Sequence, residues 1–311
     1  MRNEERLEDL FKDMVRDVEP TPSQKEDAQR THNNLRFQLD SGNIGLRIID
    51  SYLSGSYARK TAIAPLDDVD IIFLIDPSMW PRSFLASKPT PSAVLTTFER
   101  AIRYRYRGST VERQRRSVGL KLSKMDIDAV PAIPDDSSSG RIFVLDSVSE
   151  EWIPSAPKVH ADNTTRVNKL REGRFVPLVK VLKFWNRNHP SAASLKSFAI
   201  ETIAVRLFSE VNFSSFTQGS LLFFDFLAHF AGEAQRDWRS DFGIKLSPEA
   251  WTYLVPDVVD TGSNIVAGLE KEILVKFLKR AVNSRNRLLE ALQARHPERC
   301  TNRFEAAFRR Y

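Results

Sequence analysis

Residues 54–76 read Ser-Gly-Ser-Tyr-Ala-Arg-Lys-Thr-Ala-Ile-Ala-Pro-Leu-Asp-Asp-Val-Asp-Ile-Ile-Phe-Leu-Ile-Asp. Gly55 and Ser56 follow a short, mainly apolar run, Ile48 to Leu53. A second apolar run, Ile71 to Ile75, opens on two acids one residue apart, Asp68 and Asp70. Five consecutive apolar residues predict a strand buried on both faces. Side chains alternate along a strand, so Asp68 and Asp70 leave the same face about 6–7 Å apart. Carboxylates that close repel each other unless a cation lies between them, and hard divalent Mg²⁺ is the usual answer. Gly55 frees the backbone to approach a ligand, and its turn can aim N–H groups and the Ser56 hydroxyl at an anion. A Gly-Ser pair alone is most often a turn, and a lone Asp-x-Asp is most often solvated. Their order, their spacing and the buried run that follows point jointly to an anion cradle beside a paired-carboxylate metal site.

Composition sets the surroundings. A chain of 311 residues can bury a large core and has room for two lobes. Hydrophobic content of 41% and charged content of 28% are ordinary for a soluble globular protein. No apolar run approaches a membrane span, and Asp225 and His229 interrupt the richest late stretch, Leu221 to Phe230. The start, Met1 to Arg6, lacks the apolar centre of a signal peptide. A single cysteine, Cys300, excludes a disulfide framework and any multi-cysteine zinc site. A reducing cytoplasm is the expected location, with no membrane attachment. The net charge of +6 and a pI near 9.4 predict polyanionic company, nucleotides or nucleic acid.

Upstream of the central stretch, Leu7, Leu10, Phe11 and Met14 fall on one helical stripe that Pro20 ends. Thr21 can cap a second, polar helix, with Pro22 at its first position and Gln24 three residues on. That helix runs to about Leu39 and stops at Ser41-Gly42. Downstream, a Pro/Ser-rich loop from Pro77 to Ser92 leads to a helix ending near Tyr106. Three β-like runs follow at Thr110–Arg115, Ser117–Leu122 and Met125–Val130. The last puts Asp126 and Asp128 on one strand face, stopped by Pro131 and Pro134, and either acid can complete a metal set. Short strands at Arg141–Leu145 and Trp152-Ile153 precede an irregular, basic crossover from Pro154 to Gly173. Helices are predicted at Phe175–Arg187, Leu195–Phe208, Leu221–Phe230 and Leu269–Leu292. On the residues alone, Lys180, Lys183 and Arg187 form a solvated stripe, and Phe198 is a core aromatic. The expected organisation is an α/β lobe over 1–165 and a helical lobe over 166–311.

Beyond the central stretch, several segments together resemble one family. Gly55 to Arg59 followed by Thr61-Ala62-Ile63, then Asp68-Val69-Asp70-Ile71, resembles the nucleotidyltransferase signature of the cGAS/DncV-like enzymes, the CD-NTases of bacterial anti-phage defence (CBASS). Ile127-Asp128-Ala129-Val130-Pro131-Ala132 is similar to that family's third-carboxylate strand. Residues 177–186, Pro-Leu-Val-Lys-Val-Leu-Lys-Phe-Trp-Asn, are similar to its lysine helix. Residues 194–201, Ser-Leu-Lys-Ser-Phe-Ala-Ile-Glu, are similar to its Ser-aromatic helix, and residues 260–265 more loosely to a late Asp…Asn segment. Lys60 departs from the pattern, where relatives commonly carry Gly.

The resemblance implies a polymerase-beta-like fold with a mixed-sheet lobe and a helical lobe. It implies that Asp68, Asp70 and Asp128 hold two Mg²⁺ ions, with Mn²⁺ as a substitute. It further implies that Gly55, Ser56, Lys183 and Ser197 contact the phosphates of an NTP and that Phe198 stacks on its base. The implied reaction joins NTPs, ATP among them, into a cyclic di- or trinucleotide and releases pyrophosphate, for a separate effector protein to detect. A monomer is expected. Template-independent RNA tailing of the CCA-adding or poly(A) polymerase kind, and an inactive nucleic-acid-binding relative, are the alternatives. Seven arginines between Arg100 and Arg116 could be a nucleic-acid footprint, although a solvated helix and hairpin is the commoner explanation and nucleic acid is not required.

Overall fold

The computed structural model describes residues 3–40, 45–66, 68–80, 88–136, 140–188, 193–238, 242–259 and 261–308. The predicted stop at Ser41-Gly42, parts of the loops at 77–92 and 135–140, and Asp260 lie outside them. The chain forms two compact units, one of residues 20–162 and one combining 1–19 with 163–311.

The first unit is built on a mixed sheet. Its strands are β1 (Ile48–Leu53), β2 (Asp68–Ile75), β3 (Thr110–Arg113), β4 (Val118–Lys121), β5 (Asp126–Pro134), β6 (Ile142–Asp146) and β7 (Glu151–Ser155). The main path runs β1-β2-β5-β4-β3, with β6 joining β5 and β7 joining β6. Among the described residues only β2 and β5 run parallel. One sheet face is closed by helices α2 (Pro22–Asp40) and α4 (Pro91–Arg105). Leu35, Leu39, Val94, Leu95, Phe98 and Ile102 pack there against Val69, Ile71, Phe73, Ile127 and Ala129. On the opposite face Ile72, Ala132 and Ile142 form a smaller cluster. The buried run of β2 is thus covered on both sides, as its five apolar residues predict. The start of α2 is a capping box: the Gln24 amide N–H donates to Thr21 Oγ1 at 3.2 Å, and the Thr21 N–H donates to Gln24 Oε1 at 3.0 Å.

The second unit is helical. It contains α1 (Asn3–Val18), α6 (Phe175–Arg187), α7 (Ser197–Glu210), α8 (Phe216–His229), α9 (Lys271–Leu292) and α10 (Pro297–Phe308), with a small hairpin of β8 (Lys245–Ser247) and β9 (Thr252–Leu254). The predicted first lobe included α1; in the structure α1 belongs with the helical unit. The reason is its apolar stripe. Phe11 sits 4.8 Å from Phe304 and 5.3 Å from Phe308, ring to ring, and the Glu8 carboxylate caps α8 by accepting from the Phe216 and Thr217 N–H groups.

Two local expectations fail. The crossover from Pro154 to Gly173 is not irregular: Pro157–Leu170 is a helix, α5. Its buried stripe is His160, Thr164 and Val167, at helical spacing but mostly polar, so hydrophobic periodicity does not reveal it. Nor does Pro131 stop β5, which continues to Pro134. Pro131 falls where pairing with β4 has ended at Ala129 and pairing with β6 begins at Ala132, so the missing N–H costs no ladder bond on that edge.

Candidate active site

Parallel pairing of β2 with β5 sets Asp68 beside Asp126 and Asp70 beside Asp128. Residues in register across a parallel pair point to the same face, so these four acids share one face while Val69, Ile71, Ile127 and Ala129 fill the core behind them. Asp68 is exposed, and Asp70, Asp126 and Asp128 are half-buried. Burial pushes the Asp128 carboxyl above its ordinary value. A hydrogen bond from Gln114 opposes that rise, and the charges of Asp68 and Asp126 add to it. Like charge gathered on a half-buried face is the situation a hard divalent cation relieves. Among the described residues no three such side chains converge closely enough to hold an ion as they stand. The fit therefore lies in donor chemistry and strand register.

The turn between β1 and β2 is pressed against these acids. The Ser54 N–H donates to the Asp70 carbonyl at 2.7 Å. Gly55 has φ +59°, and a Cβ there would lie 1.8 Å from Asp70 Oδ2. A side chain there would strain the backbone and displace the Asp70 carboxylate. Gly55 opens the one-turn helix α3 (Gly55–Ala58), whose first N–H groups have no intrahelical acceptor. The Ser56 carbonyl is occupied from behind by the N–H groups of Thr61 and Ala62, at 2.9 and 3.1 Å. Lys60 adopts φ +61°, the left-handed conformation that favours glycine.

In the helical unit the two lysines of the predicted stripe are buried rather than solvated, while Arg187 is exposed. Lys183 Nζ donates to Glu201 Oε1 at 2.9 Å, and both side chains are only 4% exposed. Lys180 is equally enclosed and pairs with Glu19. A helix that faces its neighbours on most sides buries the stems of its lysines, and each then requires a partner. Ser197 is exposed at the first turn of α7, one turn before Glu201 and on the same helix face. Phe198 follows it, half-buried rather than in the core. The start of α7 is fixed by Asn186 on α6. Its Nδ2 donates to the Leu195 carbonyl at 2.7 Å, its Oδ1 accepts from the Leu195 N–H at 3.1 Å, and Arg280 braces the same Oδ1 at 3.2 Å. In the late segment Asn264 Oδ1 accepts from the Val255 N–H, and Arg206 donates to the Asp257 and Pro256 carbonyls, so these residues shape a loop.

Sequence reasoning missed Gln114 and Gly119, which adjoin Asp128, and Ser117, which holds Gln114. None carries a charge or a motif, and only the β4–β5 pairing brings them to it. The arginine run is largely committed to structure. Arg103 pairs with Glu99, Arg113 reaches Thr96 and Glu99, and Arg115 and Arg116 both bind the fully buried Asp146.

A family profile described as the Second Messenger Oligonucleotide or Dinucleotide Synthetase domain matches residues 6–168. A cyclic AMP-AMP-AMP synthase from Acinetobacter sp. is 35% identical over 207 residues, which cover 63% of this chain and 57% of that protein. The chain spans a little over half the length of the curated relatives it matches. In fold it is similar to Escherichia coli CdnC, solved as a complex with HORMA-deltaN, with a TM-score of 0.75 and 18% identity over 98% of this chain and 96% of that one. It is also similar to Bradyrhizobium diazoefficiens CdnG, solved with GTP, with a TM-score of 0.73 and 13% identity over 96% and 94% of the two chains.

Proposed function

This chain belongs to the family of second messenger oligonucleotide or dinucleotide synthetases, and on that premise we propose that it is a metal-dependent nucleotidyltransferase that joins NTPs into a cyclic di- or trinucleotide and releases pyrophosphate. The observation that carries the reading is the register of Asp70 with Asp128 on neighbouring strands, with Gly55 packed against Asp70. Asp68, Asp70 and Asp128 are the proposed metal ligands. Asp128 is preferred to Asp126 because it is level with Asp70 and hence with the turn. Bound there, a pair of Mg²⁺ ions would lower the pKa of an attacking ribose hydroxyl and offset the charge of departing pyrophosphate.

The chain's own residues supply the rest of the proposal. Asp128 orients the attacking hydroxyl. Gly55 and Ser56 hold the β and γ phosphates through backbone N–H groups and the hydroxyl. Lys183, Ser197 and Phe198 are the proposed nucleotide contacts of the helical unit. A lysine has three donors, so the bond to Glu201 does not by itself preclude one to a phosphate. Phe198 offers a face on which any base can stack. Anti-phage signalling through a separate effector, and a cytoplasmic setting, belong to the same proposal. No helix among the described residues is long and apolar enough to cross a membrane.

Labelled NTPs incubated with the protein and Mg²⁺, then treated with phosphatase, test the reaction. A label that resists phosphatase in a pyrophosphate-releasing reaction is the expected result. Linear, phosphatase-sensitive products would establish RNA-type tailing instead, and no product with intact NTP binding would leave only a binding protein.

A further inference from the structure

The turn between β3 and β4 is bound more tightly than a hairpin turn requires. The Gln114 side chain spans it, donating from Nε2 to Asp128 Oδ1 at 2.8 Å and accepting at Oε1 from Ser117 Oγ at 2.7 Å. The Gln114 N–H also donates to the Ser117 carbonyl at 3.0 Å, so both ends of the residue are fixed. Gly119 pairs with Asp128 across the two strands. A Cβ at Gly119 would come within 3.0 Å of Gln114 Nε2 and 3.6 Å of Asp128 Oδ1. The missing side chain leaves the gap through which the amide reaches the acid.

The turn is anchored in its turn. Arg115 Nε donates to Asp146 Oδ1 at 2.7 Å, and Arg116 Nε donates to Asp146 Oδ2 at 3.1 Å. The Ser147 N–H and hydroxyl donate to the Arg115 carbonyl at 3.0 and 2.8 Å. Asp146 is fully buried at the end of β6, a strand that pairs with the same β5 that carries Asp128. Two members of the arginine run therefore tie the turn to the sheet holding the acid.

We propose that Gln114, held by Ser117 and by the Arg115–Asp146–Arg116 clamp, is the positioning residue for Asp128. By fixing Oδ1 it sets the carboxylate plane and leaves Oδ2 as the oxygen offered to a divalent cation. The inference rests on the assignment of Asp128 to the metal set made above. Partners that orient a metal ligand typically change affinity or activity by about 10–100-fold when removed.

The test uses Mn²⁺ binding to the full chain, followed by electron paramagnetic resonance, beside steady-state kinetics and thermal melting. Wild-type Mn²⁺ binding that is lost in Asp70→Asn establishes the metal site first; if Asp70→Asn loses nothing, the site assignment and this inference both fall. Gln114→Met keeps the length and removes the amide. It is expected to lower Mn²⁺ affinity and kcat by about tenfold, with little change in the KM for NTP or in Tm. Gly119→Ala displaces the amide by an independent route and is expected to act in the same direction, as is Ser117→Ala by less. Wild-type Mn²⁺ affinity and kcat in Gln114→Met would overturn the proposal. A lowered Tm with unchanged Mn²⁺ affinity would also overturn it, because Gln114 would then serve only the fold.

Discussion

Gly55 meets two demands at once: a left-handed backbone and an approach to Asp70 that leaves no room for a Cβ. Gly55→Ala is expected to cost about 1–2 kcal/mol from backbone strain alone, and to abolish product formation by displacing Asp70, as chemical denaturation and the phosphatase assay can read. Activity retained in a stable Gly55→Ala protein would detach the turn from the acids. Lys60 presents the reverse case, a side chain on a backbone that suits glycine. Lys60→Gly should hold or slightly raise Tm, because relieved strain of about 1 kcal/mol offsets the extra entropy of an unfolded glycine. A clear fall in Tm would show that the Lys60 side chain itself carries stability. Among the acids, Asp128→Asn is expected to cost orders of magnitude in rate and Asp126→Asn little. The opposite ranking would move the third ligand to the outer end of the acid face, beside Asp68.

At the scale of elements, α6 and α7 are joined by a buried ion pair where the residues alone suggest wet lysines. Removing one partner of such a pair strands the other, at about 3–5 kcal/mol. Lys183→Ala alone would therefore mix unfolding with any lost phosphate contact, whereas Lys180→Ala leaves Glu19, 39% exposed, in contact with water. The double change Lys183→Met with Glu201→Gln removes both charges together. It is expected to restore most of the Tm lost in Lys183→Ala while still weakening NTP binding, measured in Ca²⁺, by roughly tenfold. Wild-type NTP affinity in the stable double variant would make the pair purely structural. Helix α5 teaches a related lesson. Its buried stripe of His160, Thr164 and Val167 has the spacing of a helix without its hydrophobicity, so tertiary packing alone reveals it.

At the scale of the whole molecule, two buried carboxylates tie distant segments together. Burial raises the Asp146 carboxyl, but bonds from Arg115, the Ser149 and Val148 N–H groups and Arg116 more than offset it. Asp225 behaves likewise, with Gln235, Trp238, Arg285 and Arg236 as donors. Both are therefore held below the usual carboxylate range. Each contributes stability that is fully present above the unfolded value of about 3.9 and is lost as pH falls below it. Denaturant melts from pH 7 to pH 3 should show stability falling mainly below pH 4, with a shallower fall in Asp146→Asn and in Asp225→Asn. An unchanged slope in both variants would place the acid sensitivity elsewhere.

Strand β2, the capped start of α2, the span of α6 and the presence of an α/β part followed by a helical part could be read from the chain, because each follows from patterns among residues a few positions apart: apolar runs, capping and helical spacing. The four acids could be named the same way, since each lies in a local Asp-x-Asp pattern. Their mutual placement could not. That Asp128 stands level with Asp70, that α1 joins the helical unit, that Lys183 pairs with Glu201 and that Gln114 reaches Asp128 all depend on pairings between segments far apart in sequence. Those pairings are chosen by how buried faces and unsatisfied polar groups are jointly accommodated in the folded chain. No local spacing encodes that choice.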